Sequence, residues 1–154
     1  MSMTPLAGPE TLRIERTYPA PADRVFAAWT SAEVLRRWWQ AERGWETSEA
    51  VVDLRVGGDV HVTMRDPTKD TNYGGGGKYT EIDPPRRLAF TWLWDGDDRR
   101  TLIELDFEEA DGATTVRFTH RGLWDEQAVR SHEHGWCNIL DNLGRMLEGD
   151  GPEA

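Results

Sequence analysis

The sequence predicts an α+β domain, in which an antiparallel sheet of six to seven strands covers one long C-terminal helix and two short helices follow strand 1. Three observations carry this. From Trp45 to about His120, apolar and polar residues alternate in short runs. Turn signals separate these runs at Gly57-Gly58, Pro84-Pro85 and Asp111-Gly112, so the runs pair as successive hairpins. After Asp125 the period changes: Trp136, Leu140, Leu143 and Leu147 recur at helical steps and share one face.

The first strand is Leu12-Arg13-Ile14-Glu15-Arg16-Thr17-Tyr18, which alternates and is ended by Pro19 and Pro21. "PADRVFAAWT" then turns helical, with Val25, Phe26 and Trp29 on one face. Thr30-Ser31-Ala32-Glu33 has the form of a capping box, so a second helix is expected to start there. Its apolar face is Val34, Leu35, Trp38 and Trp39, and Gly44 marks its end. Six strands follow as "AVVDLRV", "DVHVTM", "GKYTEID", "RLAFTWLW", "RTLIELDFEE" and "TTVRFTH". The closing helix runs from about Asp125 to Glu148, with Val129 and His132 extending its apolar face. One domain, residues 10–149, accounts for these elements, with flexible tails expected at 1–9 and 150–154.

Composition narrows the function. The chain of 154 residues carries 18 basic and 28 acidic residues, a formal net charge of -10. No basic block exceeds two residues, which argues against nucleic-acid binding and against docking on an anionic membrane. There is no signal-peptide pattern and no run long enough for membrane insertion, so a cytoplasmic location is expected. The single cysteine, Cys137, excludes an internal disulfide. The excess is in tryptophan, with eight residues at 29, 38, 39, 45, 92, 94, 124 and 136.

"NYGGGGKY", residues 72–79, invites a phosphate-loop reading. It fails in two ways: a strand pattern follows Lys78 where a phosphate loop opens a helix, and Tyr79 stands where Ser or Thr belongs. The glycines are expected in a long mobile loop, residues 65–77, at which the question is whether it gates a cavity.

The runs "RTYPAPADRVFAAWTSAEVLRRWW", "VDLRVGGDV", "GGKYTEIDPPRRLAFTW", "TTVRFTHRGL" and "HGWCNILDNL" together resemble the START-like (SRPBCC) superfamily. Within it they are most similar to the bacterial homologues of the activator of the 90-kDa heat-shock protein ATPase. The resemblance spans Ile14 to Leu147 and implies a helix-grip fold, a curved sheet around the C-terminal helix with an elongated cavity between them. It implies apolar or aromatic small-molecule ligands, and no catalytic residue is carried over.

Alternation then nominates residues facing such a cavity. Leu88, Phe90, Trp92 and Trp94 share a face, as do Ile103, Leu105 and Phe107, and Val116, Phe118 and His120. Opposite them stand His132, Trp136, Leu140 and Leu143. The 51–64 hairpin is ambiguous. A two-residue turn would pair Leu54 with His61 and Arg55 with Val60, and neither face is cleanly apolar. Asp53 and Arg55 therefore form either a solvated ion pair or a polar anchor in the cavity, and His61 is a candidate with them.

The ligand-binding candidates are Trp92, Trp94, Phe118, His120, His132, Trp136, Leu140, Arg55 and His61. Cys137 and His134 share a helix face, but Glu133 and Asp141 beside them oppose a thiolate. His132 and His134 point about 200° apart on a helix and cannot chelate one ion together. No metal site and no cofactor are expected. The reading is a small-molecule binding protein for an apolar or aromatic ligand. An enzyme of cyclase or hydrolase type in the same cavity, working through His120, His132, Glu81, Glu104 or Arg55, is the first alternative, and a chaperone-linked interaction domain is the second.

Overall fold

The computed structural model describes residues 5–150. The expected tails fall partly outside that range, at residues 1–4 and 151–154. Of the remainder, Ala7 is held on the body through its amide, which donates to the Arg100 carbonyl at 2.8 Å. The elements run β1 (Glu10–Tyr18), α1 (Ala22–Thr30), α2 (Ala32–Trp38), β2 (Glu46–Val52), β3 (Asp59–Asp66) and β4 (Thr71–Asp83). They continue with β5 (Arg87–Trp94), β6 (Thr101–Ala110), β7 (Ala113–Leu123) and α3 (Glu126–Asp150). All strand pairs are antiparallel, and the sheet order is β1-β7-β6-β5-β4-β3-β2. This is the α+β helix-grip architecture, with the two short helices after strand 1.

The alternation in β5, β6 and β7 works as expected. Leu88, Phe90, Trp92, Ile103, Leu105, Phe107, Val116, Phe118 and His120 are all buried. On the outer face, Arg87 is bonded to Glu81, Glu104 and Asp106. The Asp111-Gly112 turn has φ of 56° and 79° at its two residues, the left-handed pair that joins Ala110 to Ala113. α3 lies on the concave side, where Trp136, Ile139, Leu140, Leu143 and Leu147 are buried. Asp125 caps its start, accepting from the Ala128 amide at 2.8 Å. The Tyr18 hydroxyl donates to the Leu140 carbonyl at 2.9 Å and pins β1 to the middle of α3. No helix of the described residues is long and apolar enough to cross a membrane.

Four expectations need correction. The cap of α2 is Ser31, whose Oγ accepts from the Val34 amide at 3.3 Å; the Thr30 hydroxyl is turned back onto the Phe26 carbonyl instead. α2 also ends at Trp38, before Gly44. The third correction concerns the β2–β3 connection, which is longer than a two-residue turn. The Asp53 amide donates to the Asp59 carbonyl, and Arg55 and Gly58 make local turn bonds, so Val51 rather than Leu54 lies opposite His61. Val60, Val62 and Met64 consequently face inward.

The fourth correction is the glycine run, which is strand rather than loop. Gly74 to Gly77 pair with Thr63 to Val60 on one side, and Gly75 and Gly76 pair with Trp94 and Leu93 on the other. The run lacks side chains because its neighbours occupy that space. A Cβ on Gly77 would strike the Thr91 carbonyl, one on Gly76 the Val60 carbonyl, and one on Gly75 would sit 2.6 Å from Cζ2 of Trp92. A segment paired on both sides is no free gate.

Candidate functional site

The 39–45 segment, β3, β4, β5 and the first half of α3 line a cavity of about 290 Å³ that opens to solvent. That is at the small end of the range of small-molecule sites. Six aromatic side chains line it: Trp39, Trp45, Tyr73, Trp92, Trp94 and Trp136. Trp39, Trp92 and Trp136 are buried and packed together. Trp39 stacks on Trp92 at 5.7 Å and meets Trp136 edge-on at 5.1 Å. Trp45 and Tyr73, each half-buried, stack at 4.9 Å within 4° of parallel. Met64, Ala41 and Ile139 add aliphatic surface.

Two hydrogen-bonded chains run through the wall. The Trp136 indole N–H donates to His120 Nδ1 at 3.1 Å. An indole can only donate, so Nδ1 is the bare nitrogen and Nε2 carries the proton. Nε2–H then donates to Thr101 Oγ1 at 2.8 Å, and that hydroxyl donates to the Trp92 carbonyl at 2.7 Å. In the second chain the Trp94 indole N–H donates to His132 Nε2 at 3.1 Å, and His132 Nδ1–H donates to the Ala128 carbonyl at 2.7 Å. Both imidazoles are therefore neutral, in opposite tautomers, with their rings 5.2 Å apart edge to face. The Trp92 indole N–H is buried without a hydrogen-bond partner among the described residues, as are the Trp29 indole N–H and the Tyr79 hydroxyl away from the cavity lining.

Burial pushes His120 well below the ordinary histidine value, and the nearby His132 pushes it the same way. Burial also lowers His132; its bond to the Ala128 carbonyl opposes this, and the Arg99 charge adds to the lowering. Arg99 is close because its guanidinium lies over the Trp124 ring, which in turn meets His132. The linkage has a definite sign. Below about pH 6.5 the unfolded chain binds protons that the native imidazoles refuse, so stability falls as pH falls. The expected slope approaches about 1.4 kcal/mol per pH unit for each imidazole held neutral. His120→Gln keeps one acceptor and one donor and is expected to flatten that slope. Urea melts across this range check it, and an unchanged slope would assign the loss to other groups.

The 39–45 segment is fastened to α3 by residues one turn apart on a single ridge. The Asn142 amide donates to the Trp38 and Gln40 carbonyls at 3.3 and 3.2 Å. Asn138 donates to the Ala41 carbonyl at 2.8 Å, and His134 Nε2 meets Glu42 Oε2 at 2.9 Å. On the other side, Thr47 Oγ1 donates to the Trp39 carbonyl at 2.5 Å. These bonds place Trp39 and Trp45 beside the cavity even though the segment has no regular structure.

The structure gathers Trp92, Trp94, His132 and Trp136 in the lining. His120 and Phe118 stand behind Trp136, with the Phe118 ring 4.7 Å from it. Leu140 is buried outside the lining, where Ile139 takes the cavity side. Arg55 lies away from the cavity in an exposed connection, bonded to Asp53 at 2.9 Å, which is the solvated arrangement. His61 lies on the outer face of β3, bonded to Asp95 at 2.9 Å. Sequence reasoning missed Trp39, Trp45 and Tyr73. For Trp45 and Tyr73 the available signal was an aromatic next to glycine, at Gly44-Trp45 and Tyr73-Gly74, whereas the pattern places Trp39 on the apolar face of the second helix. Cys137 is half-buried and off the lining, while His134 is engaged with Glu42. Among the described residues, no three His, Cys, Asp or Glu side chains gather as a metal site.

A comparison with curated proteins gives no match. Solved structures do match. The AHSA1 protein of Silicibacter pomeroyi is 27% identical, with 92% of this chain and 99% of that one covered and a TM-score of 0.80. A protein of Rhizobium leguminosarum is 31% identical over 90% of this chain and 94% of its own, with a TM-score of 0.68. A protein of Chromobacterium violaceum shares the fold at a TM-score of 0.80 and 23% identity, covering 90% of this chain and 97% of its own. The family model for activator of Hsp90 ATPase homolog 1-like proteins matches residues 19–148, and the chain belongs to that family.

Proposed function

We propose that this protein binds a small apolar or aromatic molecule in the cavity between the sheet and α3, and that it does so without catalysing a reaction. The family's fold is a ligand-binding one. The observation that carries the reading is the state of the cavity wall. Its surface is mainly aromatic, and the acceptor nitrogen of each interior imidazole is already taken by an indole N–H. A general base needs a free lone pair within reach of the substrate, and His120 and His132 offer none. Each would have to break its tryptophan bond before accepting a proton.

An enzyme of cyclase or hydrolase type is the second reading, and one observation favours it. His134 and Glu42 form a histidine–carboxylate pair in the cavity lining. Both side chains are well exposed, at 62% and 42%, which leaves water free to compete there. The large exposed apolar residues among those described are Leu6, Val51, Leu54 and Val56. Three of these lie at the β2–β3 end, and a chaperone-linked role would have to use that small surface.

Binding is expected to quench or shift tryptophan emission, because Trp39, Trp45, Trp92, Trp94 and Trp136 all line the site. A fluorescence screen of aromatic polyketides, flavonoids and lipids tests this, with saturable changes from at least one class expected. Silence from every class would remove the binding reading. Chemical conversion of a bound compound, abolished by Glu42→Gln, would replace it with the enzyme.

A further inference from the structure

We propose that the molecule held in this cavity carries a quaternary ammonium group, seated against the tryptophan and tyrosine walls and balanced by Glu42. This rests on the reading of the cavity as a ligand site and adds the charge of its occupant. The faces of aromatic rings carry negative charge density, which attracts a cation most strongly over tryptophan and in a site sheltered from water. Here tryptophan and tyrosine supply six of the lining side chains, and Trp94 is held in one orientation by its bond to His132.

The charges agree. Among the described residues that line the cavity, Glu42 carries the negative charge and none is Lys or Arg. His132 is neutral by its hydrogen bonds, and His134 already lies on Glu42. An anionic ligand would meet a carboxylate and the negative faces of the rings. A neutral one would gain at most a hydrogen bond from Glu42 and no charge attraction. The protein's net charge of -10 also draws cations toward it over the longer range.

Hydrogen-bond supply then chooses the type of cation. A primary ammonium has three N–H groups to satisfy. The imidazole acceptors of the wall are occupied and one Glu42 oxygen is bonded to His134, so a primary ammonium would depend on the other Glu42 oxygen and on lining hydroxyls such as that of Ser131, which already donates to the Ala128 carbonyl. A quaternary ammonium has no N–H to satisfy. It needs only ring faces and a nearby negative charge, which Glu42 supplies through space while keeping His134.

The test compares benzyltrimethylammonium with its uncharged carbon isostere, neopentylbenzene, by calorimetry and tryptophan emission on the intact protein. The cation is expected to bind roughly tenfold tighter or more. Glu42→Gln is expected to weaken the cation by about threefold and leave the isostere unchanged. Equal affinity for the two probes would overturn the cation assignment while leaving the apolar cavity reading intact. A response to neutral screening compounds with none to benzyltrimethylammonium would overturn it in the same way. A Glu42→Gln effect shared equally by both probes would remove Glu42 from the recognition of charge. No response to either probe or to any screened class would end both readings.

Discussion

Trp136→Ala is expected to lower the unfolding free energy by about 3–5 kcal/mol, the range for deleting a buried tryptophan. Trp136 is 4% exposed and touches Trp39, Trp92, Phe118 and His120. Its neighbours come from the 39–45 segment, β5 and β7, three different parts of the backbone. They cannot all move inward to refill the space, so the cost belongs at the upper part of the range. The substitution also leaves His120 Nδ1 without its donor in a buried setting, which adds a desolvation penalty. Urea denaturation followed by circular dichroism measures the loss without relying on the deleted fluorophore. Trp136→Phe helps to separate the two parts, because it keeps a six-membered ring in the gap while removing the donor together with the five-membered ring. A cost below about 1 kcal/mol for the alanine variant would mean that this helix face is loosely packed.

Gly77→Ala is expected to cost about 3 kcal/mol, the top of the usual range for overpacking. The obstacle to its Cβ is the Thr91 carbonyl and hydroxyl, which belong to the adjoining strand. Backbone cannot rotate aside as a side chain can, so β4 and β5 would have to part. Gly75→Ala differs in kind. Its Cβ meets the Trp92 ring, and Trp92 is stacked on Trp39 beside the cavity. That variant is expected to disturb ligand binding more than stability. Gly149→Ala, with open space around it, is the control and should change stability by less than about 1 kcal/mol. Thermal melts of the three variants rank them, and a Gly77→Ala protein as stable as the control would mean the two strands are not closely pressed.

These glycines also show where sequence reasoning stops. Four glycines lack any strand preference of their own, and their reason for being in β4 is the bulk of Trp92, Thr91 and Val60 on neighbouring strands. Nothing within "NYGGGGKY" records that. The β2–β3 connection fails for a related reason. Its bonds involve Asp59 and, through the Gly57 amide, the Tyr79 carbonyl of β4, so its length depends on residues outside it. By contrast, β5, β6, β7 and α3 were legible because a two-residue or helical period is written locally and burial enforces it. The same holds within the site. Trp92, Trp94, His132 and Trp136 could be nominated from their faces. That Trp94 bonds His132 and Trp136 bonds His120 could not, since each pair joins a strand to the helix.

The ridge of His134, Asn138 and Asn142 sets how the mouth of the cavity can open. Its three side chains act like the teeth of a zipper, all mounted on one rigid rod. The inner tooth, Asn142, grips two backbone carbonyls, while the outer tooth, His134, grips a single exposed carboxylate. His134, on one exposed carboxylate, has the weaker hold, and loosening is expected to begin there. Turning α3 by a fraction of a turn would disengage all three together. The aperture and the aromatic wall are thus geared to the same helix, so a guest that shifts α3 resizes both at once.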